Sequence, residues 1–431
     1  CGTRRPPATA TVPAVATGEP AGADAPDRQP PDREPPDLDL VDPELYARGD
    51  PYARWRWLRR HDPVHWHPPS RGMPGFWTLT RYRDVLPVLG DPAGFSSAAG
   101  ILLRPVAHGR DHGGGSTLAL TDPPRHRRLR AVVQDFFTER MVRRLRPQMQ
   151  EIAVRLLDRA GDRENVDFVE AVAARLPLFV ICRLMGVPDS DRESLFALTS
   201  RAFGAELADT RRAAHTELMG YFLALADRRR AEPGADVVSA LATARVDGLP
   251  LTDRELILNC DNVLVGGTEN VRIAAAGGLL QFLREPVQWQ ALRRDPQLLA
   301  PAVEEVLRYT STPTHILRTA VADVTIRGRR IGAGEPVTLW LPSANRDEEV
   351  FDAPEVFDIR RSPNRHLALG TGEHFCLGGT LARAELRVLF GAMASRPAVL
   401  EPAGEPTFLS SIVVNGPEQL PVRVRAAGRT G

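Results

Sequence analysis

A chain of 431 residues with 43% apolar residues can bury a large core, and its formal net charge of +1 excludes the broad basic surface of a general nucleic-acid binder. All 55 cationic side chains outside histidine are arginine, a bias that leads us to expect a GC-rich, actinobacterial source. The four cysteines (Cys1, Cys182, Cys260, Cys376) show no paired spacing, so a reducing cytoplasm is the expected compartment.

Residues 1–36 hold nine prolines among Ala, Asp and Arg, with almost no large apolar side chains. Such a segment cannot bury enough surface to offset the entropy of ordering it. It reads as a disordered tail ahead of one large domain over 37–431. The tail opens on Cys1 rather than Met, as a shortened start would. It lacks the apolar core of a signal peptide, and no run reaches about 18 apolar residues, so no membrane association is expected.

His65–His67 and Phe76–Thr80 predict two short strands around the Pro/Gly turn at 68–75. From Asp84 to Tyr309 the pattern is mostly helical. Early in it, Asp122-Pro-Pro-Arg-His126-Arg-Arg-Leu-Arg130 sets His126 and Arg130 four apart on one face, which alone reads as a solvated helix surface. No proline interrupts Thr252 to Glu285, and Thr252 with Glu255 can form a capping box at its start. The middle of this long helix reads Val265-Gly266-Gly267-Thr268-Glu269-Asn270-Val271. Glu305 and Arg308 then fall on one face of a further helix, where a plain surface pair would explain them, and Pro313 breaks the pattern. Strands are expected over Val321–Ile326 and Val337–Leu341, and a final small sheet from Phe408–Val414 and Leu420–Val424.

The most informative stretch is His366-Leu-Ala-Leu369-Gly370-Thr-Gly372-Glu-His374-Phe-Cys376-Leu-Gly378-Gly379. Two glycines and a histidine lead into a lone cysteine, and an amphipathic segment (Leu381, Ala382, Leu386, Leu389, Phe390) follows it. This predicts a tight loop delivering sulfur to a helix N-terminus, where free N–H groups and the helix dipole stabilise a thiolate. Such a thiolate is a candidate axial ligand of haem iron; a small buried hydrophobe is the plainer alternative.

With Glu305-Val-Leu-Arg308 and the run from Ser343 through Phe351, Pro354 and Phe357 to Arg361, this C-terminal block resembles a cytochrome P450 of the soluble bacterial type. The resemblance extends from about Asp37 to Arg423. It implies a mainly α fold with a smaller β region in a single large domain. It also implies haem b held by Cys376, dioxygen as oxidant, and electrons from NAD(P)H through ferredoxin and ferredoxin reductase. Glu305, Arg308 and Arg361 become a buried ion-pair triad, and His126, Arg130, Arg318 and His374 become donors to the haem propionates. Arg125, Arg127 and Arg128 would stay exposed on the proximal side and attract an acidic ferredoxin. Leu369, Gly370 and Gly378 shape the cofactor loop; the family usually has Phe at the position of Leu369. Gly266 and Gly267 would let backbone approach porphyrin.

The long helix also carries the main departure from the family. The family pattern is Ala/Gly-Gly-x-Asp/Glu-Thr-Thr/Ser, whose acid and first Thr bring protons to dioxygen. Glu269 matches the acid, while Asn270 and Val271 replace both hydroxyl residues. A carboxamide has fixed donors and a separate acceptor, so it orients water but relays a proton poorly. Asn270 could hold a relaying water, a substrate hydroxyl could complete the network, or the reaction could dispense with the usual proton delivery. Val265, Thr314, His315, Ile316 and Ile412 are the expected substrate contacts, roofed by the Gly-rich loop 98–117 and a lid over 190–212 with Phe196 and Phe203. The expected activity is insertion of one oxygen atom into a hydrophobic or aromatic secondary metabolite by a cytoplasmic monomer. Oxidative coupling and a non-catalytic haem-binding module are the alternatives.

Overall fold

Thr252 starts the element around which the molecule is built. Its hydroxyl accepts from Glu255 N–H while the Glu255 carboxylate accepts from Thr252 N–H, and the helix Asp253–Arg284 runs 32 residues from that capping box, about 48 Å. Its C-terminal half, Ile273–Leu280, is buried all round, as only a central helix can be. The computed structural model describes residues 38–103, 111, 113–161, 163–204, 208–396 and 399–425. The expected tail over 1–36 lies outside these residues, as do parts of the loop 98–117 and of the lid 190–212.

The helices Arg175–Leu184, Leu299–Thr310 and Gly379–Ala394 pack against the long helix. Their apolar faces merge into one large core with Leu264, Val271, Ala274 and Leu279 at its centre. A smaller β region lies to one side, in the strand order Val64–His67, Phe76–Leu79, Pro336–Leu339, Ile316–Ala320, Phe95–Ser96. Phe76–Leu79 and Pro336–Leu339 pair in parallel, with Leu79 beside Leu339; the other neighbours are antiparallel.

The two N-terminal strands and the long helix fall where the sequence predicts them. Three β expectations need correction. The strand expected over Val337–Leu341 stops at Leu339, because Trp340 turns out of the sheet to pack on Trp55 and Leu341–Ala344 forms a short helix. The strand expected from Val321 begins at Val324, while Ile316–Ala320 is an unforeseen strand carrying Arg318 inward. The final sheet splits in two. Thr407–Phe408 pairs with Pro417–Gln419, and Pro421–Arg425 joins Val399–Pro402 and Asn165–Asp167. Residues 411–414 are not a sheet strand, since their backbone pairs with the loop after the helix Leu299–Thr310, through Val413 O to Thr314 N–H and a bridge from Val414 to Pro313.

Glu305 and Arg308 lie fully buried on that helix. Arg308 donates to both Glu305 oxygens at 2.8 Å, and Arg361 Nε donates from 3.1 Å. Asn364 and the Asp358 N–H complete the carboxylate's shell. The remaining guanidinium donors reach the carbonyls of Asn345, Pro354 and Val356 from Arg308, and of Asp352, Ala353 and Val356 from Arg361. One buried carboxylate thereby fixes the chain from 345 to 364. Burial pulls the Arg308 pKa down, and the Glu305 carboxylate opposes that shift. Glu305→Leu strands two guanidinium groups, so it should lower the unfolding free energy by roughly 3–5 kcal/mol in urea titrations. A loss below about 1 kcal/mol, the scale of a surface pair, would contradict the buried network.

Candidate active site

Gly370 and Gly372 take φ of 66° and 68°, left-handed values that favour glycine. They close a loop in which Cys376 N–H donates to Leu369 O at 2.9 Å, and Gly370 N–H to Leu367 O at 2.9 Å. Gly378 caps the 16-residue helix Gly379–Ala394, and its N–H points to the Cys376 sulfur. Burial pushes the Cys376 thiol up, while the Gly378 N–H, Arg130 and Arg383 pull it down. Cys182, pushed up to about 12 by burial, and Cys260 sit in the apolar core; of the described cysteines, Cys376 lines the main cavity.

That cavity lies between the cysteine loop and the long helix. Along one edge stand His126 and Arg130, from the helix Arg125–Val133, with Arg318 and His374. The His126 and His374 rings are 4.2 Å apart, and the buried His126 Nδ1 makes no hydrogen bond, Glu373 lying 3.9 Å away. Arg318 is 4% exposed and bonds the carbonyl of its neighbour Leu317. Burial lowers Arg318 to about 10, opposed by Asp122. Burial also lowers His374 to about 4, helped by Arg318 and His126. Nitrogen donors crowded at one cavity edge, with few carboxylates to match them, form a site for anionic oxygens.

Of the three arginines expected to stay exposed, Arg127 and Arg128 do, each beside a carboxylate, and Arg125 does not. Arg125 is half-buried against Asp247 and Glu255, Arg128 pairs with Asp247, and Arg127 pairs with Glu373.

On the long helix, Gly266, Gly267 and Asn270 line the cavity. The two glycines have different reasons. A Cβ on Gly266 meets nothing within 4 Å, whereas one on Gly267 would lie 2.8 Å from Ile181 Cδ1, so Gly267 serves close packing of the helix Arg175–Leu184. The Thr268 hydroxyl bonds Leu264 O at 2.9 Å inside its own helix and does not replace the missing Thr. Glu269 pairs with Arg272 at 2.6 Å and is not among the cavity-lining residues. Asn270 lines the cavity beside buried Val271 and bonds no described residue.

Of the five expected substrate contacts, Ile316 lines the cavity; Val265, Thr314, His315 and Ile412 do not. Thr314 Oγ1 donates to Ile412 O, and His315 Nε2 accepts from Leu103 N–H at 3.0 Å. Burial lowers His315 to about 4, so it stays neutral and clasps two loops together. Phe196 packs beneath Arg175 instead of facing the cavity, and the Phe203 side chain lies outside the described residues. The Gly-rich loop is tied to the long helix by Asn259, which accepts from Leu118 N–H and donates to Ser116 O, and Leu118 and Ala119 do line the cavity.

Two polar cavity residues escaped sequence reasoning. Asn262 stands one turn before Gly266 and two before Asn270, a spacing that would have found it. Glu385 is fully buried with neither oxygen bonded, and burial pushes its pKa well above the carboxylate range. An acid on the helix face of Leu381, Ala382 and Leu389 was its only sequence signal.

A family model described as Cytochrome P450 matches residues 194–407. Cytochrome P450 NovI of Streptomyces niveus is 38% identical over 391 residues, covering 90% of this chain and 96% of the relative. The chain belongs to the cytochrome P450 family. Linalool 8-monooxygenase of Pseudomonas putida is 32% identical, across 89% of this P450 and 98% of the relative. Among solved structures, P450 OxyD, involved in biosynthesis of vancomycin-type antibiotics, superposes with a TM-score of 0.83 at 39% identity, covering 90% of this chain and 99% of that one.

The family implies haem, and the residues present fit it. An apolar gap opens between the cysteine loop and Gly266, and His126, whose buried Nδ1 has no hydrogen-bond partner, would meet two carboxylates at its edge together with Arg130, Arg318 and His374. The two glycines should respond differently to a methyl group in scanning calorimetry of the haem-free protein. Gly267→Ala should cost roughly 1–3 kcal/mol through overpacking on Ile181. Gly266→Ala should be neutral, or stabilising by up to about 1 kcal/mol. Equal shifts in Tm would contradict this division.

Proposed function

We propose that this P450 inserts one oxygen atom from O2 into a hydrophobic or aromatic small molecule, as a hydroxylation or epoxidation that tailors a secondary metabolite. The observation that carries the reading is Cys376, lining an apolar gap beneath Gly266 with its sulfur beside the Gly378 N–H. Haem b bound there supplies an iron that activates dioxygen. Cys376 would hold that iron through its sulfur, and Leu369, Gly370 and Gly378 would set the approach of the loop. His126, Arg130, Arg318 and His374 neutralise the propionates, while Glu305, Arg308 and Arg361 hold the segment ahead of the loop. Relatives named as monooxygenases, together with NovI and OxyD, support this class of chemistry.

Electrons come from NAD(P)H through ferredoxin and ferredoxin reductase, and the ion pairs of Arg125, Arg127 and Arg128 leave little free positive charge on that face. Among the described residues no helix is long and apolar enough to cross a membrane, and a cytoplasmic monomer is the form we infer.

Proton delivery follows from what the long helix offers. Asn270 is the residue placed to orient a water at the reacting centre, with the Thr312 hydroxyl on the same cavity. Glu269 must leave Arg272 before it can supply a proton inward. Oxidative coupling is the second reading, favoured by the absence of both family hydroxyls at 270 and 271. Product mass separates the two, since insertion adds one oxygen and coupling removes hydrogens. In reconstituted turnover, Asn270→Leu should lower product formation about 10- to 100-fold while reducing equivalents appear as peroxide. Unchanged coupling of electrons to product would remove Asn270 from the proton route.

A further inference from the structure

The wall of the cavity formed by the long helix carries a second carboxamide without a partner. Asn262, Gly266 and Asn270 all line it, at steps of one turn, so the two carboxamides lie on one strip about 12 Å apart along the helix axis. Asn259, three residues before Asn262, shows what a structural asparagine does here: it is buried and bonds Leu118 N–H, Ser116 O and Glu255 O. Asn262 is half-buried and bonds no described residue. Water can serve it until a ligand displaces that water.

The titratable residues lining the cavity with arginine, histidine or acid side chains lie elsewhere, His126, Arg130, Arg318 and His374 at the cofactor edge and Glu385 on the helix that follows Cys376. The wall left for substrate presents the neutral groups of Asn262, Asn270 and Thr312 among Leu118, Val263 and Ile316. A carboxylate or ammonium there would be a buried charge without a counter-charge.

We propose that Asn262 determines specificity by pairing with a neutral amide of the substrate, held on the order of 12 Å from the carbon that reacts near Asn270. This inference rests on the haem-monooxygenase reading above. A carboxamide presents a donor beside an acceptor, and a second amide returns the same pattern in a two-bond ring; a ketone can only accept. An amide therefore satisfies both groups of Asn262, and a ketone leaves its acceptor unpaired.

The test titrates the holoenzyme with phenyl-terminated primary amides of graded chain length and with methyl ketones of the same lengths, following the spin-state change of the haem. At one preferred length the amide should bind at least about tenfold more tightly than the ketone, the scale of one hydrogen bond to a buried group. Asn262→Leu should erase that ratio while the ketones still bind. Asn262→Gln, longer by one methylene, should move the preferred amide to a shorter chain. Equal affinities for amide and ketone in the unaltered protein, a ratio that survives Asn262→Leu, or no response to any amide would overturn the inference. Those results leave the parent reading standing wherever haem is bound and ketones respond. A protein that takes up no haem fails both.

Discussion

The buried carboxylate of Glu305 is the constraint on which the site depends. It accepts from two guanidinium groups, a side-chain amide and a backbone N–H, and its arginines bond carbonyls from Asn345 to Val356. Removing ions from water carries a large penalty, so the pairing holds only with every partner in place. The segment leaving this network is the cysteine loop, and Asn345 Oδ1 accepts directly from Leu367 N–H at 2.7 Å. Rigidity set by one carboxylate thus passes within a few residues to the sulfur that faces the cavity.

Two walls with different chemistry meet across that cavity. The cofactor edge concentrates nitrogen donors whose pKa values burial depresses, with their mutual repulsion adding to the shift. The long helix offers carboxamides and glycine, with its acid engaged by Arg272 and its threonine bonded within the helix. Charge is therefore gathered where carboxylates would lie, and the wall facing substrate is neutral.

Much of this was legible in sequence because it follows local rules. The capping box, the uninterrupted long helix and the glycines of the cysteine loop are each specified by residues close together in the chain. What stayed hidden depends on partners distant in sequence. Nothing near His315 says that Leu103 N–H will meet it, and the carboxylates facing Arg125 and Arg127 come from 247, 255 and 373. Gly267 lines the cavity beside Gly266, and its second duty, close packing on Ile181, depends on a residue far away in the chain. Asn262 was hidden only by attention to the motif four residues on, since its helical spacing already placed it on the same face.

The central claim, that the Cys376 sulfur is the axial ligand of a haem, is tested most directly by X-ray absorption at the iron edge of the purified holoenzyme. A sulfur scatterer in the first coordination shell is predicted. It should vanish in Cys376→Ser and persist in Cys182→Ser and Cys260→Ser. An iron shell of nitrogen and oxygen alone in the unaltered protein, or a sulfur signal that survives Cys376→Ser, would contradict the account.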